Sequence, residues 1–150
     1  VYYVYTGSSL AITAYKYEDG AILIKLAYVE AEHGSGEGDT LEEKFANWLK
    51  DINMTITLPT FSFSVEVEFT NLESYYMYYF DFDIVTSDSS KYETIFQEVV
   101  TAFNNAGYDL SIYDSPMGKY AGGEDASGNV SIYVELNEDH IYVDILPWAF

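Results

Sequence analysis

From Phe61 to Phe69 the chain alternates without a break: Phe61, Phe63, Val65, Val67 and Phe69 are separated by Ser62, Ser64, Glu66 and Glu68. Successive side chains of a strand point to opposite faces, so this period of two calls for a sheet with one dry and one wet face. The period recurs between Tyr75 and Val85, where Tyr76, Tyr78, Phe80, Phe82 and Ile84 share one side and Tyr75, Met77, Tyr79, Asp81 and Asp83 the other. Leu10, Ile12 and Ala14, then Ile22, Ile24, Leu26 and Tyr28, repeat it near the start. Ile132, Val134 and Leu136, then Ile141, Val143 and Ile145, repeat it near the end. Sixteen tyrosines and nine phenylalanines reinforce the strand reading, because aromatic and β-branched side chains suit a pleated, half-buried surface.

Two segments break the period. Leu41, Phe45, Trp48, Leu49 and Ile52 fall on one helical face, preceded by Thr40-Leu-Glu-Glu43 with capping-box spacing. Tyr92, Ile95, Phe96, Val99, Val100 and Phe103 do the same after a second capping box, Ser90-Lys-Tyr-Glu93. Gly107, just past the last periodic residue, supplies the left-handed conformation that closes a helix. The fold class that follows is α+β: an antiparallel, Tyr-rich sheet with two helices of about 12 and 17 residues packed on it.

The chain of 150 residues divides into a β-hairpin region over 1–30, an acidic Gly-rich linker over 31–39 and an α+β domain over 40–150. Glu18-Asp19-Gly20 predicts a tight turn in the first region, because Asp-Gly accepts the positive φ of a hairpin. Tyr108 to Tyr113 reads as a short strand, Tyr120 starts another, and 122–129 reads as a turn. The first and last hairpins match at constant offset: Leu10, Ile12 and Ala14 before Glu18-Asp19 correspond to Val130, Ile132 and Val134 before Glu138-Asp139. Duplication and the general likeness of amphipathic hairpins both account for this possible internal repeat. Strand-like sequence from Val1 onward reads as a mature or trimmed piece of a longer chain.

Charge excludes more than it identifies. The chain has no arginine and six lysines against 25 carboxylates, for a formal charge of -19. Without a guanidinium it has no bidentate clamp for phosphate, and its field repels nucleic acid and anionic membrane surfaces. No cysteine is present, so disulfides, thiolate metal sites and cysteine nucleophiles are excluded. No apolar run approaches the roughly 18 residues of a membrane span. Phosphate loops, GxSxG elbows, HExxH and zinc spacings are all absent from the sequence.

An acid-rich linker, a short helix bearing Trp48 and a Leu-Pro-Thr-Phe stretch (58–61) lead into Tyr/acid-rich strands. A helix ending Asn-Asn-Ala-Gly-Tyr (104–108) and a closing hairpin follow. This order resembles the repeated domains of uncharacterised secreted lipoproteins of Gram-positive gut bacteria, over about residues 40–150. The resemblance implies an exported or cell-surface location and a noncatalytic role, and carries no active site over.

The candidate site residues are polar or aromatic groups on wet strand faces. Tyr75, Tyr79, Asp81 and Asp83 share one strand face, and Tyr133 and Tyr142 lie on the non-core sides of the last hairpin. Tyrosines beside carboxylates can stack on sugar rings or anchor a protein interface, which makes a glycan or a protein the expected partner. Glu66 with Glu68, or Asp81 with Asp83, stand about 7 Å apart along a strand, a separation that suits a carboxylate-dependent glycoside hydrolase. Glu124, Asp125 and Asn129 cluster hard oxygens of the kind calcium requires, though without the spacing of an EF-hand. Otherwise no cofactor is indicated. His33 lies in the linker and His140 in the last turn. The sequence thus points to a noncatalytic binding or structural module, with a carbohydrate-binding module second and a hydrolase third.

Overall fold

A computed structural model of the chain describes residues 2–6, 10–16, 22–28, 38, 40–75, 79–116 and 118–147. The chain forms two compact units, Val1–His33 and Gly34–Phe150. In the first unit, strands β1 (Tyr2–Thr6), β2 (Leu10–Lys16) and β3 (Ile22–Tyr28) make an antiparallel meander in that order. Ile12 pairs with Leu26 and Ala14 with Ile24, so the alternating apolar positions of β2 and β3 share a register. The Glu18-Asp19-Gly20 turn, His33, Met77 and nearly all of the acidic linker lie outside the described residues.

The second unit contains helices α1 (Leu41–Ile52) and α2 (Tyr92–Asn105) and strands β4 (Glu68–Tyr75), β5 (Tyr79–Val85), β6 (Ser111–Ser115), β7 (Gly118–Glu124), β8 (Val130–Leu136) and β9 (Ile141–Pro147). The six strands form one sheet in the order β4-β5-β9-β8-β7-β6, with every pairing antiparallel. The chain leaves β5 through α2, reaches the far edge at β6 and returns by hairpins until β9 docks beside β5. This is the α+β architecture that the two periodicities require.

One sheet face is dry. Phe80, Phe82, Ile84, Val134, Ile141, Val143 and Ile145 are fully buried, and both helices close over them with Trp48, Ile95, Phe96, Val99 and Phe103. Trp48 and Phe45 meet Phe80 at 5.5 and 5.2 Å between ring centroids. Burying side chains of this size is worth about 1.5–3 kcal/mol each, which is what holds the helices on the sheet. Gly123 lets the incoming chain pass close: a Cβ there would collide with the Asp109 carbonyl.

Capping is as expected for α1, where Thr40 Oγ1 accepts from Glu43 N and the Glu43 carboxylate accepts from Thr40 N. It differs for α2. Asp88, not Ser90, provides the cap, accepting from Ser90 N at 3.1 Å and heading a short 3₁₀ turn, Ser89–Lys91, before α2 starts at Tyr92 with 14 residues. The carboxylate two residues upstream wins because it accepts from both Ser90 N and Ser90 Oγ. Gly107 does close the helix, at φ 99°.

Two strand expectations change. Residues 61–67 alternate in burial as expected, but they form no ladder. Their backbone partners are side chains instead: Ser64 N donates to Glu98, and the Glu66 carbonyl accepts from Thr86 Oγ1. Phe61 packs against Phe82 and Phe103, so the segment lies over the core as an extended strap, and only from Glu68 does it join the sheet. The stretch expected as one strand from Tyr75 is two, since Tyr75 ends β4 and Tyr79 begins β5. Tyr108 makes an isolated bridge to Asp125, and β6 starts only at Ser111.

Candidate functional site: the open tyrosine and carboxylate face

The side chains that alternate with the core point to the other sheet face, which neither helix covers. Register fixes their arrangement. Asp83 of β5 stands opposite Tyr142 of β9, Tyr142 opposite Glu135 of β8, Glu135 opposite Tyr120 of β7, and Tyr120 opposite Tyr113 of β6. A second row runs from Glu73 of β4 through Asp81 and Asp144 to Tyr133. With strands about 4.8 Å apart, the first row alternates carboxylate and ring from β5 to β7 and ends on a second ring at β6, whereas the second places three carboxylates side by side before its ring.

The tyrosines contact one another. Tyr113 and Tyr120 stack at 5.2 Å with an interplanar angle of 21°, and Tyr120 meets Tyr133 at 5.7 Å. Tyr75 and Tyr79 stack at 5.7 Å and 15°. Tyr75, Tyr79, Tyr133 and Tyr142 are half-buried, and the hydroxyls of Tyr133 and Tyr142 reach acids. Tyr142 donates to Asp81 Oδ2 at 2.9 Å and Tyr133 to Glu135 Oε2 at 3.2 Å.

At the centre, Asp81 and Asp144 face each other across the β5–β9 ladder. Asp81 Oδ1 and Asp144 Oδ1 are both buried and accept no hydrogen bond. Burial pushes the Asp144 carboxyl from its ordinary 3.8 up to about 7, and the Asp81 charge adds to this. Burial likewise lifts Asp81 to about 6; the Tyr142 hydrogen bond opposes the rise and the Glu73 and Asp83 charges assist it. Tyr142 is raised in turn by burial, by the Asp144 charge and by its bond to Asp81. The pair therefore takes up a proton far above the ordinary carboxylate range, relieving the repulsion between two desolvated carboxylates.

Asp83 is differently placed. It accepts from Asn71 Nδ2 at 2.6 Å and lies 3.8 Å from His140 Nε2. His140 also contacts Asp139 and Asn137, which ties it to its own turn. Glu66, one of the expected strand acids, is exposed on the strap.

The expected calcium cluster is occupied with turn bonding. Asp125 Oδ1 accepts from Asn129 N and Val130 N, and Asp125 Oδ2 accepts from Ser127 Oγ at 2.5 Å. These bonds, Ser127 foremost, hold the Asp125 carboxyl below its ordinary range. Glu124 Oε1 faces Ser131 Oγ at 3.4 Å. Among the described residues no group of three or more His, Cys, Asp or Glu side chains is arranged to hold a metal ion.

The structure thus brings Tyr75, Tyr79, Asp81, Asp83, Tyr133 and Tyr142 onto one face and leaves Glu124, Asp125 and Asn129 at the far β7–β8 turn. Asp144, Glu135, Tyr120 and Tyr113 belong with the first group and were missed from sequence. Parity alone would have found Asp144, two residues from Tyr142. The opposition of Asp144 to Asp81 depends on register between residues 63 positions apart, which no local pattern encodes. Two hollows, of about 280 and 400 Å³, lie on the helix side, lined by Thr94, Gln97 and Glu98 and by Phe45, Leu49 and Phe63 respectively. Among the described residues no helix is long and apolar enough to cross a membrane. No family model, curated protein or solved structure matches the chain.

Proposed function

We propose that the protein is a noncatalytic binding module of an exported or cell-surface bacterial protein and that its working surface is the open sheet face. The observation that carries this reading is a row of tyrosines and carboxylates across five adjacent strands, Asp83, Tyr142, Glu135, Tyr120 and Tyr113, opposite a face already sealed by two helices. Tyrosine presents apolar area with a polar tip at low entropic cost, the composition expected of a contact surface. Binding to a panel of glycans and peptides, by wild type and by Tyr79→Ala and Tyr133→Ala variants, tests the reading. Weakened binding at an unchanged melting temperature supports it; affinities that ignore both substitutions would sink it.

Carbohydrate binding is the second reading, and one geometric detail supports it. The near-parallel Tyr113–Tyr120 and Tyr75–Tyr79 pairs offer flat platforms on which sugar rings stack. Hydrolysis is less favoured, because Asp81 and Asp144 each keep a buried Oδ1 away from solvent and the two hollows described above lie on the opposite side.

Membership of a repeat array is a further part of the proposal. The β2–β3 and β8–β9 ladders each run through seven pairs without a shift, Leu10↔Tyr28 to Lys16↔Ile22 and Val130↔Pro147 to Leu136↔Ile141. Neighbouring copies in the parent gene product are expected, and a parent sequence without them would count against duplication.

A further inference from the structure

The open face carries at least five carboxylates, Glu73, Asp81, Asp83, Glu135 and Asp144, and among the described residues of the second unit no lysine shares it. Each lysine of that unit belongs elsewhere. Lys119 is bound to Glu93 of α2 at 2.9 Å, Lys44 reaches the Leu72 carbonyl, Lys50 bonds Asn47 on α1, and Lys91 sits in the 3₁₀ turn. Among the described residues of that unit, the one group near the face able to take up positive charge is His140, 3.8 Å from Asp83. The acids are therefore gathered among rings that desolvate them, with no lysine of their own unit as counter-charge.

A neutral ligand covering this face would worsen that state, since it would strip water from ionised carboxylates and offer no compensating charge. A cationic ligand would relieve it. A single metal ion does not fit, because the acids are spread over four strands: Asp83 and Glu135 are separated by the strand of Tyr142, about 10 Å from the strand spacing. Several separate cationic heads are needed, and between them apolar stems that can lie on rings. A lysine or arginine side chain has this construction, with a methylene stem and a charged tip that is attracted to the face of a tyrosine.

We infer that the open face docks an extended, lysine- or arginine-rich segment of a partner protein, its cationic tips meeting Asp83 and Glu135 and its stems lying on Tyr142 and Tyr120. This rests on the reading of the face as a binding surface and names its partner class. The register supplies the specificity: carboxylates two strands apart with a ring between them select a partner whose cations are spaced to match. Net charge by itself would attract any polycation to any part of the molecule.

The test uses the full 150-residue chain and isothermal titration at pH 8 in physiological salt, with a ten-residue alternating Lys-Thr peptide and with cellohexaose as probes. Asp83→Asn/Glu135→Gln should raise the Kd for the peptide at least tenfold. Tyr120→Thr, which leaves the charge unchanged, should raise it about threefold. Glu42→Gln/Asp51→Asn on α1 removes the same charge from the helix side and should change it less than twofold. Equal losses in the two double variants, or no peptide binding by wild type, would overturn the inference. Cellohexaose binding that Tyr120→Thr abolishes, without peptide binding, would remove the cationic partner and leave the binding face standing. Insensitivity of both probes to Tyr120→Thr and to Asp83→Asn/Glu135→Gln would remove both. Melting temperatures of all variants show whether each is folded; should the Asp83→Asn/Glu135→Gln protein unfold, Tyr120→Thr against Glu42→Gln/Asp51→Asn decides alone.

Discussion

The two faces of the six-stranded sheet are built from the same strands in strict alternation, yet they answer to different physics. On β5, Phe80, Phe82 and Ile84 are fully buried, while Tyr79, Asp81, Asp83 and Val85 between them are only half-buried. On β9 the same holds for Ile141, Val143 and Ile145 against Tyr142 and Asp144. The dry face stabilises the fold because it is chemically uniform and close-packed. The open face carries costs: at its centre stand two facing carboxyls, each with a buried oxygen that accepts no hydrogen bond. Unsatisfied, perturbed groups of this kind concentrate at functional sites, which is the ground on which the binding role is proposed.

Truncating the dry face should have the largest effect. Phe80 is fully buried between Phe45 and Trp48, so Phe80→Ala is expected to cost about 3–5 kcal/mol. Urea denaturation read by tryptophan fluorescence would measure it, and a loss below about 1 kcal/mol would mean that the helices are not seated as described.

Adjacent glycines on β7 give a sharper contrast, since they differ only in face. A Cβ at Gly123 would strike the Asp109 and Leu110 backbone, whereas one at Gly122 meets only the Ile132 carbonyl at an ordinary 3.9 Å. Gly123→Ala should lose about 1–3 kcal/mol through forced backbone movement. Gly122→Ala should be neutral or gain about 0.4–1 kcal/mol through the unfolded chain. Equal effects in thermal melts of the two variants would break the assignment of faces.

The carboxyl pair makes the comparison pH-dependent. Asp81 and Asp144 hold their protons more tightly folded than unfolded, with values lifted from 3.8 to about 6 and about 7. Their contribution is therefore fully present below pH 4 and is lost progressively as pH rises to 7. Hydrogen-bonded Asp88 and Asp125 work in the other direction, since their depressed values add stability that is lost as pH falls. Asp144→Asn, which keeps the shape and removes the charge, should stabilise the protein by about 1 kcal/mol at pH 8 after allowance for solvent screening. It should change little at pH 4. The difference between the two melts isolates the pair, and an equal shift at both pH values would refute the raised values of these carboxyls.

What the sequence made legible follows the same division. The dry face was readable almost residue by residue, because Phe80, Phe82, Ile84, Ile132, Val134, Ile141, Val143 and Ile145 obey a local period and burial enforces it. Thr40 and Glu43 were readable for the same reason, as a cap is settled within four residues. Residues 61–67 misled because alternation reports which side chains are buried, and an extended strap over a core buries alternate residues as a strand does, without a partner strand. The open face was half legible. Its tyrosines follow from parity, but the meeting of Asp81 with Asp144 and of Tyr113 with Tyr120 and Tyr133 follows from how distant strands are ordered, a property of the whole sheet.

The smallest stability effect belongs to the open edge. Tyr113 is 49% exposed on β6, the edge strand, and its ring contact is with Tyr120 alone among the described ring pairs. Threonine keeps the strand preference while removing the ring, so Tyr113→Thr should shift stability by no more than about 0.5 kcal/mol. The same substitution removes one plane of the stacked platform. If the platform exists for a partner, ligand affinity should fall severalfold while the melting curve barely moves, the reverse of what Phe80→Ala does to a protein that remains folded long enough to be assayed. A melting loss above about 1.5 kcal/mol would instead make Tyr113 part of the scaffold and erase the distinction between the faces at this edge.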